Sequence, residues 1–138
     1  MVSANEESAI REVANRFFNA IENADIDTVY NTMAPTCEIW HNYDEIVVDR
    51  EFTRRVLGGM VQRIGNVKYS DRRIVVYPGG FCQQHVLQGT RKFDGEELRL
   101  PAALFCKVEN GQITRIDEYI DTAQQAEFKK TAPQPPRI

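Results

Sequence analysis

The sequence predicts an α+β domain, and three observations carry that prediction. Helical periodicity runs through residues 5–33 and 50–64, while long alternating segments fill residues 67–122. Asp94-Gly95 and Asn110-Gly111 punctuate those segments as hairpin turns. Helix, helix, strand, helix and then a four-strand meander describes a curved antiparallel sheet with three helices on its concave face. The 138 residues suit one domain over 1–130, with a flexible tail at 131–138 that holds three prolines.

The first helix is expected over residues 5–22, where Ile10, Val13, Ala14, Phe17 and Ile21 share a face. Ser3 or Ser8 caps its start. Asp25 caps a second helix over 26–33, with Ile26, Val29, Tyr30 and Met33 inward, and Pro35 closes it. A short strand follows at 37–42. Its alternation sets Glu38, Trp40 and Asn42 on one face against Cys37, Ile39 and His41 on the other. Periodicity alone leaves open which face is the interior. Asp49 caps a third helix over 50–64, interrupted by Gly58-Gly59, which signals a kink, close packing or an earlier helix end. Strands are expected at 67–77, 81–93, 97–109 and 112–122, with Pro101 marking an edge or a bulge. A short helical segment over 123–130 completes the reading.

Composition excludes several function classes. The chain carries a net charge of −3 and no basic stripe, which argues against nucleic acid as a partner. No apolar run approaches a membrane span, and the polar, acidic N-terminus is not expected to act as a signal peptide. Cys37, Cys82 and Cys106 are widely spaced and beside only two histidines, so reduced thiols in a cytoplasm are expected rather than a metal site. No phosphate loop or dinucleotide fingerprint occurs, so no cofactor is expected.

Two positions carry chemistry. In Ile113 to Asp121, alternation places Glu118 between Ile116 and Ile120, a carboxylate on an apolar face of the kind used in proton transfer. Arg115, Asp117, Tyr119 and Asp121 form the solvated face opposite. On the second long strand, His85 lies between Gln83 and Leu87 on a mixed face. Cys106 reads as inert packing, and Lys68 with Arg72-Arg73 as a solvated face.

The order of elements, with Glu-Asn-Ala-Asp-Ile-Asp at 22–27, Trp-His-Asn at 40–42 and Ile-Thr-Arg-Ile-Asp-Glu-Tyr-Ile-Asp at 113–121, resembles the nuclear-transport-factor-two-like superfamily. The last segment is most similar to SnoaL-like polyketide cyclases and limonene epoxide hydrolases. The resemblance implies a cone-shaped domain with one deep apolar pocket, in a homodimer formed through the outer sheet face. It also implies that Trp40, Asn42 and Glu118 point into the pocket, which sends His41 outward, and it keeps Asp121 as a candidate near the pocket mouth. The match to the hydrolases is partial: their Arg-x-Asp pair falls on His85 and Leu87, so the second acid is missing. The match to ketosteroid isomerases is partial too, because Phe17 and Asn42 stand where their Tyr and Asp would be.

The expected function is therefore cofactor-independent acid–base catalysis on a small hydrophobic carbonyl or hydroxyl compound, by isomerisation, cyclisation or elimination. Glu118 and His85 exchange the proton, Asn42 and Tyr30 bind a developing oxyanion, and Trp40, Phe17, Leu100 and Leu104 shape the pocket. An atypical epoxide hydrolase using an activated water, and a non-catalytic ligand-binding module, are the alternatives.

Overall fold

The computed structural model describes residues 1–134. Helix α1 (Ala4–Glu22) begins at Ser3, whose hydroxyl accepts from the Glu6 amide at 3.1 Å. Its buried face contains the five residues expected from spacing, together with Phe18 and Ala20. Helix α2 (Ile26–Thr32) is capped by Asp25 and stops at Met33, where strand β1 (Met33–His41) begins at once. Pro35 therefore lies inside a strand rather than closing a helix. It is tolerated because the β1 ladder is irregular between Met33 and Glu38, where no inter-strand amide is demanded of it.

A two-residue strand β2 (Val47–Val48) precedes α3 (Arg50–Arg63), which Asp49 caps by accepting from the Phe52 amide at 2.9 Å. The long meander follows as β3 (Ile64–Tyr77), β4 (Gly80–Arg91), β5 (Glu97–Glu109) and β6 (Gln112–Ile120), and α4 (Thr122–Lys129) closes the fold. The sheet order is β2-β1-β6-β5-β4-β3. Every pairing is antiparallel except one: β1 runs parallel to β6.

Turn chemistry and bulges shape this sheet. Asn110 and Gly111 both take positive φ, 51° and 76°, as a tight right-twisted hairpin requires. In β3, Asn66 and Asp71 also take positive φ, at the two places where its register against β4 slips. Such bulges bend a strand and increase its twist, and β3 carries two of them. Pro101 sits where β5 has β4 on one side only, because β6 ends at Ile120 opposite Ala102. Gly80 is required by close approach: an added Cβ would lie 2.1 Å from the Cys106 carbonyl oxygen.

The core fills the concave face. Phe18, Ile21, Val29, Met33, Ile39, Ile64, Phe81 and Ile113 are essentially inaccessible. Phe18 is central, with its ring edge-on to Phe17, Tyr69 and His85 at centroid distances of 5.2, 5.0 and 5.2 Å. Helix α4, where a short helical segment over 123–130 is expected, buries only Phe128 and is tied down by Arg91. That guanidinium bonds the Asp94 carboxylate at 2.6 Å and the Glu127 carboxylate at 2.9 Å. Thr131 to Gln134 are exposed coil, and the remainder of the expected tail lies outside the described residues. Phe18→Ala should destabilise the fold by about 3–5 kcal/mol through lost burial and the cavity left behind; chemical denaturation monitored by circular dichroism checks this.

Candidate active site

A cavity of about 400 Å³ opens between the sheet and helices α3 and α4. Its floor is the concave face of the sheet: His41 from β1, Glu118 and Ile120 from β6, Leu100 and Ala102 from β5, His85 and Leu87 from β4, and Tyr69 from β3. One turn after another of α3 forms the facing wall, and Gln125, Phe128 and Lys129 of α4 cover one side. Leu, Phe and Val side chains dominate the surface, with a few convergent polar groups, which is the usual make-up of a small-molecule site.

Glu118 is the only carboxylate among the residues lining the cavity. It is half-buried, and its Oε1 lies 2.9 Å from His41 Nε2. Strand register produces that contact, since His41 stands beside Glu118 in the parallel β1–β6 ladder. The structure thus corrects the face assigned to β1. Cys37, Ile39 and His41 face inward, Cys37 and Ile39 being almost fully buried, and Trp40 turns outward to pack against Tyr119 at 5.3 Å. Burial holds the Cys37 thiol well above its usual range, at about 12, so it stays protonated packing.

Asn42 is likewise outside the cavity lining. Its side-chain Nδ2 donates to the Ile120 carbonyl at 3.0 Å, and its Oδ1 accepts from the Ile120 amide at 2.9 Å. Its own backbone amide donates to the Glu118 carbonyl at 3.1 Å. Both ends of the amide are therefore spent on strand β6. Asn42 lies outside the cavity lining, so it is not placed to hold a water or an oxyanion there, and its backbone amide ties β1 to the Glu118 carbonyl.

His85 occupies the other side of the floor. Ala102 lies opposite it on one flank and opposite Ile120 on the other, so a methyl group separates the imidazole from the β6 face. The ring is buried, wedged between Phe18 and Tyr69. Gln83 Nε2 lies 2.9 Å from His85 Nδ1. An amide nitrogen can only donate, so Nδ1 accepts and the ring proton belongs on Nε2. That Nε2 is buried and has no partner within the described residues. Desolvation pulls the imidazole down from the ordinary 6.5 to about 4, and the opposing attraction of Glu118 is the smaller effect. At neutral pH His85 is thus an uncharged N–H donor with its hydrogen unused. The phenol of Tyr69, raised by burial above all, is also neutral.

The remaining sequence candidates lie elsewhere. Tyr30 sits on the surface, its hydroxyl donating to Glu51 and its ring beneath the Arg50 guanidinium at 4.0 Å. Phe17 and Leu104 are buried core residues that do not line the cavity; of the expected wall residues, Leu100 does. Asp121 caps α4, accepting from the Ala123 amide at 2.9 Å. His41, Tyr69, Arg55, Arg63 and the α4 residues join the site without being expected there. The alternation Cys37-Ile39-His41 holds the signal for His41, whereas the others depend on how α3, α4 and β3 converge. Among the described residues, no cluster of three or more His, Cys, Asp or Glu side chains could hold a metal ion.

Residues 14–116 match the SnoaL-like domain. The chain belongs to that family. Its structure is similar to a limonene-epoxide-hydrolase-like epoxide hydrolase from Mycobacterium tuberculosis, with TM-score 0.69 and 22% identity over 88% of this chain and 89% of that one. IdmH of Streptomyces antibioticus, provisionally named a polyketide cyclase, gives TM-score 0.75 and 15% identity, covering 86% and 96% of the two chains. A protein of ketosteroid isomerase-like fold from Catenulispora acidiphila, solved with trimethylamine, gives 0.71 and 14%, covering 82% and 88%. No curated protein sequence matches significantly. The expected membership of the nuclear-transport-factor-two-like group, and its α+β architecture, hold. Among the described residues, no helix is long and apolar enough to cross a membrane.

The depressed His85 gives a signed pH dependence. Between pH 6.5 and about 4 the unfolded chain binds a proton at this position and the folded chain does not, so stability falls as pH drops through that window. The loss should reach about 3 kcal/mol. Comparing unfolding at pH 7 and pH 4.5 should show that this component is absent in His85→Gln. Asn42→Ala should separately cost about 1–3 kcal/mol, from the two β6 bonds left unmade, which thermal melts can measure.

Proposed function

We propose that this SnoaL-like protein is a cofactor-independent acid–base enzyme acting on a small, largely hydrophobic carbonyl or hydroxyl compound. The observation that carries the proposal is the pairing of one carboxylate with one uncharged N–H donor across a small apolar floor. Glu118 is the base. His41 holds its Oε1 through a 2.9 Å contact, which fixes the carboxyl plane and leaves Oε2 for substrate. His85 does not share the base role, because its only open nitrogen already bears the proton. It stabilises charge instead, donating Nε2–H to the oxygen on which negative charge builds when a neighbouring carbon loses its proton. Glu118, once protonated, returns the proton to another carbon, to the alkoxide left when the carbanion closes on a carbonyl of the same molecule, or to a departing hydroxyl. Isomerisation, cyclisation and elimination all use that sequence.

The electrostatics suit the task. A neutral donor in a desolvated wall strengthens its hydrogen bond as charge develops, without the cost of burying a cation first. The hydrolase reading has less support, since the Asn42 amide that would hold an attacking water is engaged by Ile120 on both sides.

Proton exchange tests the proposal even while the product is unidentified. Wild-type protein in D2O should exchange the α-protons of a panel of small hydrophobic ketones and hydroxyketones, followed by NMR. Glu118→Gln should slow exchange by about 10²–10⁴-fold, the usual worth of a positioned base. His85→Leu should slow it by about 10²–10³-fold, the usual worth of an oxyanion donor. His41→Ala should cost less than either. Rates unchanged in both Glu118→Gln and His85→Leu would sink the reading. Product carrying label from H2¹⁸O would assign the site to hydrolysis.

A further inference from the structure

The charge balance of the cavity points to the chemical class of the substrate. Arg55, Arg63 and Lys129 all line the cavity, and within the described residues none of them is in an ion pair. Several cations elsewhere on the described chain also lack an ion pair, so what distinguishes these three is that they converge on one cavity. Against the three cavity cations stands Glu118 alone, and His41 already occupies it.

Arg63 is the most constrained of the three. Its Nε is buried with no hydrogen-bond partner in the described residues. Its guanidinium folds back over the preceding turn of α3, against Gly59. A Cβ added at Gly59 would lie 3.0 Å from Arg63 Nη1, so beside any larger residue the guanidinium would have to give by a few tenths of an ångström. Gly59, costly inside a helix, lets the guanidinium lie close against the preceding turn on the cavity wall. Arg55 and Lys129, by contrast, lie over the rings of Phe52 at 5.7 Å and Tyr43 at 4.7 Å.

Position separates the cation from the base. Arg63 leads directly into β3 at Ile64, three strands across the sheet from β6. At the normal inter-strand spacing the backbones of β3 and β6 are about 14 Å apart. One end of a ligand can therefore meet Arg63 while the other reaches Glu118 and His85.

We infer that the substrate carries a carboxylate, received by Arg63 at the α3 end of the cavity while the reacting carbon lies between Glu118 and His85. A guanidinium presents planar paired donors that fit a carboxylate with two parallel bonds, which an amide or ester cannot reproduce. The buried Nε–H obtains its missing acceptor on binding. Arg63 is here a specificity residue, and the inference rests on the acid–base reading only for the orientation of the ligand.

Equilibrium binding tests this apart from catalysis. The probes are 2-naphthylacetate and its neutral amide, measured by calorimetry against the same protein sample. The carboxylate should bind wild type at least about tenfold more tightly than the amide. In Arg63→Met the ratio should fall to about one. Because each ratio is taken on one variant, a change in folded fraction cancels. Glu118→Gln should preserve or raise the ratio, since it removes the one anion of the cavity. A wild-type ratio near one, a preference that survives Arg63→Met, or no binding of either probe at millimolar concentration would overturn the inference. Loss of the carboxylate preference with Glu118-dependent proton exchange intact would leave the acid–base reading standing alone.

Discussion

The parallel pairing of β1 with β6 is the constraint on which the site depends. The two strands are far apart in sequence, and in every other pairing of this sheet the chain simply folds back on its neighbour. Here β1 pairs with the last strand, from which the whole meander separates it in sequence, and its register decides which of its residues stands next to Glu118. With His41 opposite Glu118, the carboxylate acquires an orienting partner, and the two most deeply buried side chains of the Cys37–His41 segment, Cys37 and Ile39, fall into the core. A slip of one residue would bring Trp40 inward, expel both core residues and leave Glu118 without its histidine. Core packing and site assembly are therefore selected by the same register.

The two histidines illustrate how environment divides one residue type into two roles. His41 is half-buried, in contact with a carboxylate, and orients it. His85 is enclosed by aromatic rings and held by Gln83, so burial keeps it neutral and places its proton on the nitrogen left unpaired. Neither role is intrinsic to the imidazole. Moving the Gln83 amide or parting the rings of Phe18 and Tyr69 would restore an ordinary titrating histidine at position 85.

Much of this is legible in the chain itself. Helix α1 and its buried face follow from spacing, the hairpins from Asp-Gly and Asn-Gly, and the placement of Glu118 and His85 on strand faces of interest from simple alternation. Phase is harder. Residues 37–42 alternate cleanly in either sense, and the large indole of Trp40 argues for the interior as strongly as Ile39 does. What settles the matter is the ladder irregularity between Met33 and Glu38, which depends on β6 and is invisible within the segment itself. Asn42 resists a sequence reading for a related reason: a polar side chain beside a strand end can serve a ligand or the backbone, and the choice depends on where a strand seventy-eight positions later terminates. Arg63 and Gly59 could be read as an i, i+4 pair, but nothing local says that the space above the glycine belongs to a cavity.

The double bond from the Asn42 side chain to Ile120 has one more consequence. A side-chain amide presents the same donor and acceptor as a peptide group, so Asn42 stands in for a further rung of the ladder at the point where β1 leaves the sheet. Ile120 is satisfied without any contribution from the residues that come next. The turn from Tyr43 to Ile46 is consequently released from sheet-building, while Tyr43 remains on the cavity wall. Insertions or substitutions in that turn can reshape one side of the cavity while the backbone under Glu118 stays paired. The fold thus keeps an adjustable rim on a fixed floor, which is the arrangement by which one scaffold diversifies among many small molecules.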